Sequence, residues 1–280
     1  MRLRNILLLL AAAAFMFGCQ ESGNNSQNDI PVDTVAESTD ATVDDVEIME
    51  NTTFKLPSPV ELYLFLWEED ADFAKSFLNP TENVTKYFTT SSKALNFGIY
   101  ASDLAYCTVF GQNQETFLYF TTVKQLADEM AQSEVLDAKV EQQIEENLNN
   151  KDSLYEITTS SYADATNFLE NQKQGNLLPF ILTGAWIESV HIAINTVEEF
   201  SENNEIIIRV AEQQFLLENL LDYISSIKDK NEDMKKLEES LLNLQSIYDQ
   251  LYDNTDVIIT KKQYQDITTE IETLRNAFIS

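Results

Sequence analysis

Glu188-Ser189-Val190-His191 contains the chain's only histidine. On a helix, Glu-x-x-His places two metal-ligating side chains on one face, the spacing that di-metal carboxylate bundles use. Those centres need the motif twice and two further glutamates, which a single histidine cannot supply. A mononuclear site built from Asp103, Glu188 and His191 is the metal arrangement that remains. The competing expectation is a satisfied core histidine beside carboxylates paired for structural reasons. No metal or cofactor is assigned on these grounds. Ser-His-Asp, Cys-His, P-loop, GxGxxG, CxxC and HExxH patterns do not occur, so no catalytic residue is assigned either. With 47 acidic residues, carboxylate pairs are bound to arise and point to no particular chemistry.

Asp103 lies in "ALNFGIYASDLAYCTVF", residues 94–110. Ala94, Gly98, Ala101 or Ser102, Ala105 and Thr108 recur every three or four residues. That is a helix stripe of small side chains, which lets a second helix approach closely. Gly98 costs roughly 1 kcal/mol in a helix interior, so packing or a site must compensate. The expectation is a central core helix, with Asp103 at its edge or hydrogen-bonded to a tyrosine. The stretch "TGAWIESVHIAINT", 183–196, echoes it: Gly98-x-Tyr100 matches Gly184-x-Trp186, and Asp103 and Glu188 follow their glycines by five and four residues. A faint internal duplication and chance similarity of two helices both account for this echo. The candidate ligand-binding residues are therefore Tyr100, Asp103, Trp186, Glu188 and His191. Cys107 reads as a small apolar core residue.

These residues require helices to position them. Only 6 glycines and 5 prolines occur in 280 residues, which argues for long helices over many turns. Ser58-Pro59-Val60-Glu61 is a capping box with proline at the first helical position, ahead of "ELYLFLW". A short helix is expected over Asp70–Leu78, stopped by Asn79-Pro80. Ser91 or Ser92 should cap a helix through Phe110, with Gly111 as its stop. Further helices are expected from Asn113 to about Ala131, from Ser133 to about Leu148, from Asp152 or Ser153 to before Gly175, and from Asn176 to Glu199.

The last third is the most regular. Ile207, Val210, Gln214, Leu217, Leu221 and Ile224 alternate steps of three and four. So do Met234, Leu237, Leu241, Leu244, Tyr248 and Leu251, and likewise Tyr264, Ile267, Ile271, Leu274 and Phe278. Each is a heptad-like seam. Polar breaks near Lys228–Asn231 and Asp253–Thr260 make the three segments an antiparallel up-down-up set. Thr260-Lys261-Lys262-Gln263 is another capping box. "DVIIT", 256–260, is the one β-like run and makes no sheet alone. The fold expected is all-α, a multi-helix bundle of about eight to nine helices. It occupies residues 55–280, with a possible sub-boundary near 200–230.

The formal charge is −29, from 47 acids and 18 bases. Such a surface repels nucleic-acid phosphates, so no nucleic-acid partner is expected. Residues 1–18, "MRLRNILLLLAAAAFMFG", have a basic start and an apolar run at 6–17. That run is too short to span a bilayer, which takes about 20 residues, and it fits a secretory signal peptide. Residues 19–54 are polar and acidic, with no Lys or Arg between Arg4 and Lys55. They read as a disordered tether with a span of ~30–35 Å.

Met16-Phe17-Gly18-Cys19 resembles the lipobox of bacterial lipoproteins, in which cleavage precedes a cysteine that becomes lipidated. Gly18 fits the small residue required before Cys19; Phe17 departs from the usual small residue. The resemblance implies lipidation at Cys19, with membrane lipid as a partner through about three acyl chains, more than the two that stable anchoring needs. Gln20 in place of aspartate after the cysteine resembles the enterobacterial signal for outer-membrane delivery, on the periplasmic side or at the cell surface. Asp33-Thr34-Val35 resembles a Bacteroidota O-glycosylation site. "LNPTENVTKYFTTSSKALNFGIYASDLAYCTVF" and "GAWIESVHIA" resemble helical lipoproteins of Bacteroidota, over about residues 57–225. That resemblance implies an all-α body behind a lipid anchor and brings no catalytic residues. The function expected is therefore non-enzymatic binding of a protein or small-molecule partner in the cell envelope. The alternatives are an envelope metal-binding protein or enzyme using Asp103, Glu188 and His191, and a structural spacer or adhesin-like protein.

Overall fold

Two largely buried helices organise the molecule, and the others pack around them. In the computed structural model, the described residues are 59–130, 138–147, 150–171, 177–253 and 259–280. Cys19, the leader, the whole expected tether, Ser58, Ser133 and residues 256–258 of the β-like run lie outside them. The helices are α1 Pro59–Glu68, α2 Thr90–Val109, α3 Asn113–Glu129, α4 Ala138–Glu146, α5 Lys151–Asn171, α6 Leu178–Asn195, α7 Glu205–Glu212, α8 Gln214–Ser226, α9 Glu232–Tyr248 and α10 Lys261–Ile279. Short 3-10 turns cover Lys75–Phe77, Thr81–Lys86 and Asp249–Asp253. The protein is an all-α multi-helix bundle, with ten α-helices and no strand among the described residues.

The helix pair α2–α6 forms the most extensive contact, and α1, α3, α5 and α10 pack on α2. Glycine explains the closeness of the central crossing. A Cβ on Gly98 would stand 2.0 Å from the Ile181 carbonyl oxygen, and one on Gly184 would stand 2.0 Å from the Leu95 carbonyl oxygen. Each glycine thus lies against the carbonyl three residues before the other. This reciprocity gives the echo between the two segments a physical reason: both helices need a missing side chain at the same crossing. α6 is long and apolar enough to cross a membrane, with a mean hydropathy of 1.2, but 94% of that window is buried inside the protein. It is the central core helix, covered on all sides.

The C-terminal helices follow their sequence pattern. Every residue of the first two seams is buried, as are Tyr264, Ile267, Ile271 and Leu274, while Phe278 is half-buried. α8 packs on α9 and α9 on α10, while α6 contacts α7, α8, α9 and α10. A surface hollow bounded by Glu218 and Ser225 of α8 and by Glu238 and Gln245 of α9 fits the antiparallel pairing of those two helices. The capping box at Thr260 forms as expected, Thr260 and Gln263 each bonding the other's backbone N–H.

Several boundaries differ from expectation. Asp70–Leu78 is not a helix; Asp70 adopts a positive φ of 57° and only Lys75–Phe77 makes a 3-10 turn. Beyond that turn the stretch bonds distant groups: the Ala74 N–H donates to Tyr106 OH, and the Phe77 carbonyl accepts from Arg275. Thr89, not Ser91 or Ser92, caps α2, accepting from the Ser92 N–H. Gly111 does take the left-handed conformation expected of a stop, with φ 67°. α5 begins at Lys151, and the Asn150 side chain accepts from the Ser153 N–H. α6 ends at Asn195, four residues before the expected Glu199. The seam 207–224 belongs to two helices: the chain tightens at Gln213, whose N–H bonds the Val210 carbonyl, as the Gln213 side chain reaches into the core.

Candidate functional site

The crossing of α2 and α6 places Asp103 and Glu188 in the interior, both 0% exposed. α10 supplies the cation that Glu188 requires. Arg275 Nε donates to Glu188 Oε2 at 2.6 Å and its Nη2 to Oε1 at 2.7 Å, a bidentate pair. The same Nη2 donates to the Phe77 carbonyl at 3.0 Å. Asp103 Oδ2 accepts from the Asn79 N–H at 3.2 Å, whereas Oδ1 is buried with no conventional partner. Burial and the adjacent Glu188 carboxylate push the Asp103 carboxyl well above the usual range. That shift favours the neutral acid beside the Glu188–Arg275 pair, which lowers the cost of burying a second carboxyl there.

His191 lies at the margin of the cluster, 6% exposed. Its Nδ1 is 2.6 Å from Glu272 Oε1, and its Nε2 is 3.1 Å from the Phe77 carbonyl. A neutral ring donates to one of these acceptors; an imidazolium donates to both. Asn195 Nδ2 also donates to Glu272 Oε1, at 2.9 Å. Burial opposes the charge on Glu272, but His191, Asn195 and Arg275 outweigh it and hold that carboxyl below its ordinary value. Its contribution to stability is therefore present above the unfolded carboxylate pKa and lost as the pH falls through the lower folded value.

The stretch around Asn79 closes the cluster from outside. Tyr119 OH donates to the Asn79 carbonyl at 3.0 Å and Tyr100 OH to the Pro80 carbonyl at 2.9 Å. Asn79 Nδ2 donates to Tyr87 OH, and Asn83 Nδ2 donates to Asn79 Oδ1. Asn79, read from sequence as a helix stop, is instead a lid on the interior.

Tertiary structure thus brings Asp103 and Glu188 together but does not make a ligand set of Asp103, Glu188 and His191. Glu188 is taken by Arg275 and His191 by Glu272. Among the described residues no group of three or more His, Cys, Asp or Glu side chains is arranged to hold a metal ion. Tyr100 is fully buried and holds the Pro80 carbonyl, so it faces no open site. Cys107 is a free, buried thiol whose pKa burial pushes upward, in keeping with a core role. Sequence reasoning missed Arg275, Glu272 and Asn79. Arg275 carried a signal, since it falls one turn after Ile271 on the apolar face of its helix; Asn79 carried none.

Trp186 leads to a different place. Its indole Nε1 donates to Gln213 Oε1 at 3.1 Å, and together they floor an open cleft of about 510 Å³ between α1, α6, α7 and α8. Leu64, Phe65, Phe215 and Leu216 give the cleft apolar walls. Phe215 is 52% exposed. The Arg209 guanidinium stands 4.6 Å over the Phe65 ring and 3.1 Å from Glu212. The cleft volume lies within the usual range for ligand sites. A second hollow, between Phe97, Phe120 and Tyr162, measures about 40 Å³. That is room for no more than a few water-sized groups.

Comparison with protein-family models, with curated proteins and with solved structures finds no match to this chain.

Proposed function

We propose that this chain is a non-enzymatic, lipid-anchored protein of the bacterial cell envelope. Cys19 carries the lipid, an acidic tether follows, and the helical body binds a partner through the cleft between α1 and α7–α8. The observation that carries the binding reading is the contrast between the two polar regions. Asp103 and Glu188 are sealed and mutually satisfied, whereas Phe65, Arg209 and Phe215 line an open cleft beside the buried Trp186. A reacting carboxylate must reach substrate, and these two cannot without unfolding their lid. The anchor reading rests on Met16-Phe17-Gly18-Cys19 following a short apolar run. Outer-membrane delivery rests on Gln20.

Two measurements test this. Cys19→Ala should abolish labelling by radioactive palmitate and release the protein from membranes; unchanged retention overturns the anchor. A photo-crosslinking amino acid at position 215 should give a discrete adduct in intact cells, and one at the exposed Leu242 of α9 should not. Equal labelling at both positions, or none at 215, removes the cleft as a binding site and favours a spacer role.

A further inference from the structure

Charge identifies what the cleft accepts. Resting on the proposal that this cleft binds a partner, we propose that its occupant is a basic amphipathic helix of another protein, its apolar face on Phe215 and Leu216 and its cations on the glutamates. The walls are α1 on one side and α7–α8 on the other, and the floor between them is the Trp186–Gln213 pair. Glu61, Glu68 and Glu212 line the cleft against a single cation, Arg209. All four are exposed. Arg209 is engaged by Glu212 at 3.1 Å and by the Phe65 ring, which leaves Glu61 and Glu68 without a cation in any ion pair described in the structure.

An apolar strip bordered by carboxylates along α1 matches an amphipathic helix with anchors at three- and four-residue spacing and Lys or Arg at the flanks. The same charge disfavours two other occupants. A second copy of the chain brings a further −29. The chain's own segment 19–54 is acidic and carries no Lys or Arg. Both meet like charge at the rim.

The test uses the full chain and a fluorescein-labelled 18-residue Leu/Lys peptide of helical spacing, followed by anisotropy at 150 mM salt. Two control peptides replace every Lys by Glu, or every Leu by Ser. The Leu/Lys peptide should bind at one site, and both controls should bind at least tenfold more weakly. Phe215→Asp and Glu68→Lys should each weaken binding about tenfold, with circular dichroism unchanged. Glu239→Lys, a reversal at an exposed position of α9 away from the cleft, should change it less than twofold. Equal loss with Glu239→Lys means that net charge alone attracts the peptide, and overturns the proposal. Tighter, Phe215-dependent binding of the Glu peptide overturns the basic occupant but leaves the cleft as a binding site. Loss of crosslinking at position 215 in cells, with no peptide binding, removes both.

Discussion

The α2–α6 crossing and the α8–α10 set both bury helices, by opposite means. α8, α9 and α10 each bury one stripe of large apolar residues and leave a charged outer face. In α6 every residue from Leu178 to Ile194 is buried, and α2 is buried from Ala94 to Val109 apart from Ala101. At the crossing, small residues replace large ones, and polar groups hold the helices in register where apolar packing alone is not selective. The stripe design tolerates substitution on its outer face. The crossing has no outer face, and Tyr100, Asp103 and Glu188 depend on partners from other parts of the chain.

The largest expected effect comes from separating the buried ion pair. Glu188→Ala leaves Arg275 desolvated and unpaired and should cost about 3–5 kcal/mol in urea unfolding. The double variant Glu188→Leu/Arg275→Met removes both charges and should recover most of that loss. If the single variant behaves like an exposed charge removal, the crossing is not organised by this pair.

Gly98→Ala comes next. The added methyl meets the Ile181 carbonyl oxygen at 2.0 Å, so α2 and α6 must separate. A loss of about 2–3 kcal/mol is expected from the overpacking, despite alanine's better helix propensity. An unchanged melting temperature would mean that the helices do not approach as closely as described.

Asp103→Asn sharpens the electrostatics. The raised carboxyl pKa means that the folded protein holds a proton which the unfolded chain releases above about pH 4. Stability from this group is therefore full below that pH and falls as the pH rises. The asparagine variant should gain stability relative to the parent between pH 4 and 7, its slope less negative by up to about 1.4 kcal/mol per pH unit. An unchanged slope would show that Asp103 is already ionised in the folded state.

The smallest effect belongs to the stripe region. Thr260→Ala removes the α10 cap, which bonds the Gln263 N–H, and should cost about 1 kcal/mol, read as a shift in the urea midpoint. Since α10 carries Arg275 and Glu272, a loss as large as that of Glu188→Ala would mean that docking of this helix governs the whole crossing.

Legibility in the sequence follows the same division. The three seams announced α7–α10, because an amphipathic helix writes its orientation into its spacing. The small-residue stripe at Ala94, Gly98 and Ala105 announced a close helix approach, and Gly184 is its partner. The break at Gln213 was not legible, because the apolar spacing runs through it unchanged. The pattern of residues 70–78 suggests a helix that does not form: apart from the 3-10 turn at Lys75–Phe77, its bonds go to Tyr106 of α2, Glu115 of α3, His191 of α6 and Arg275 of α10.

Composition and local spacing by themselves determined an acidic, all-helical body, its seams, the Thr260 capping box, the Gly111 stop and the glycine-bearing core helices, because these depend on neighbours within a turn or two. Tertiary structure alone decided that burial beside Glu188 would raise the Asp103 carboxyl pKa, that Glu188 would meet Arg275 87 residues away and His191 would meet Glu272, and that Trp186 would floor an open cleft. Those outcomes depend on which charges and side chains meet across the bundle, and on how much water their meeting excludes.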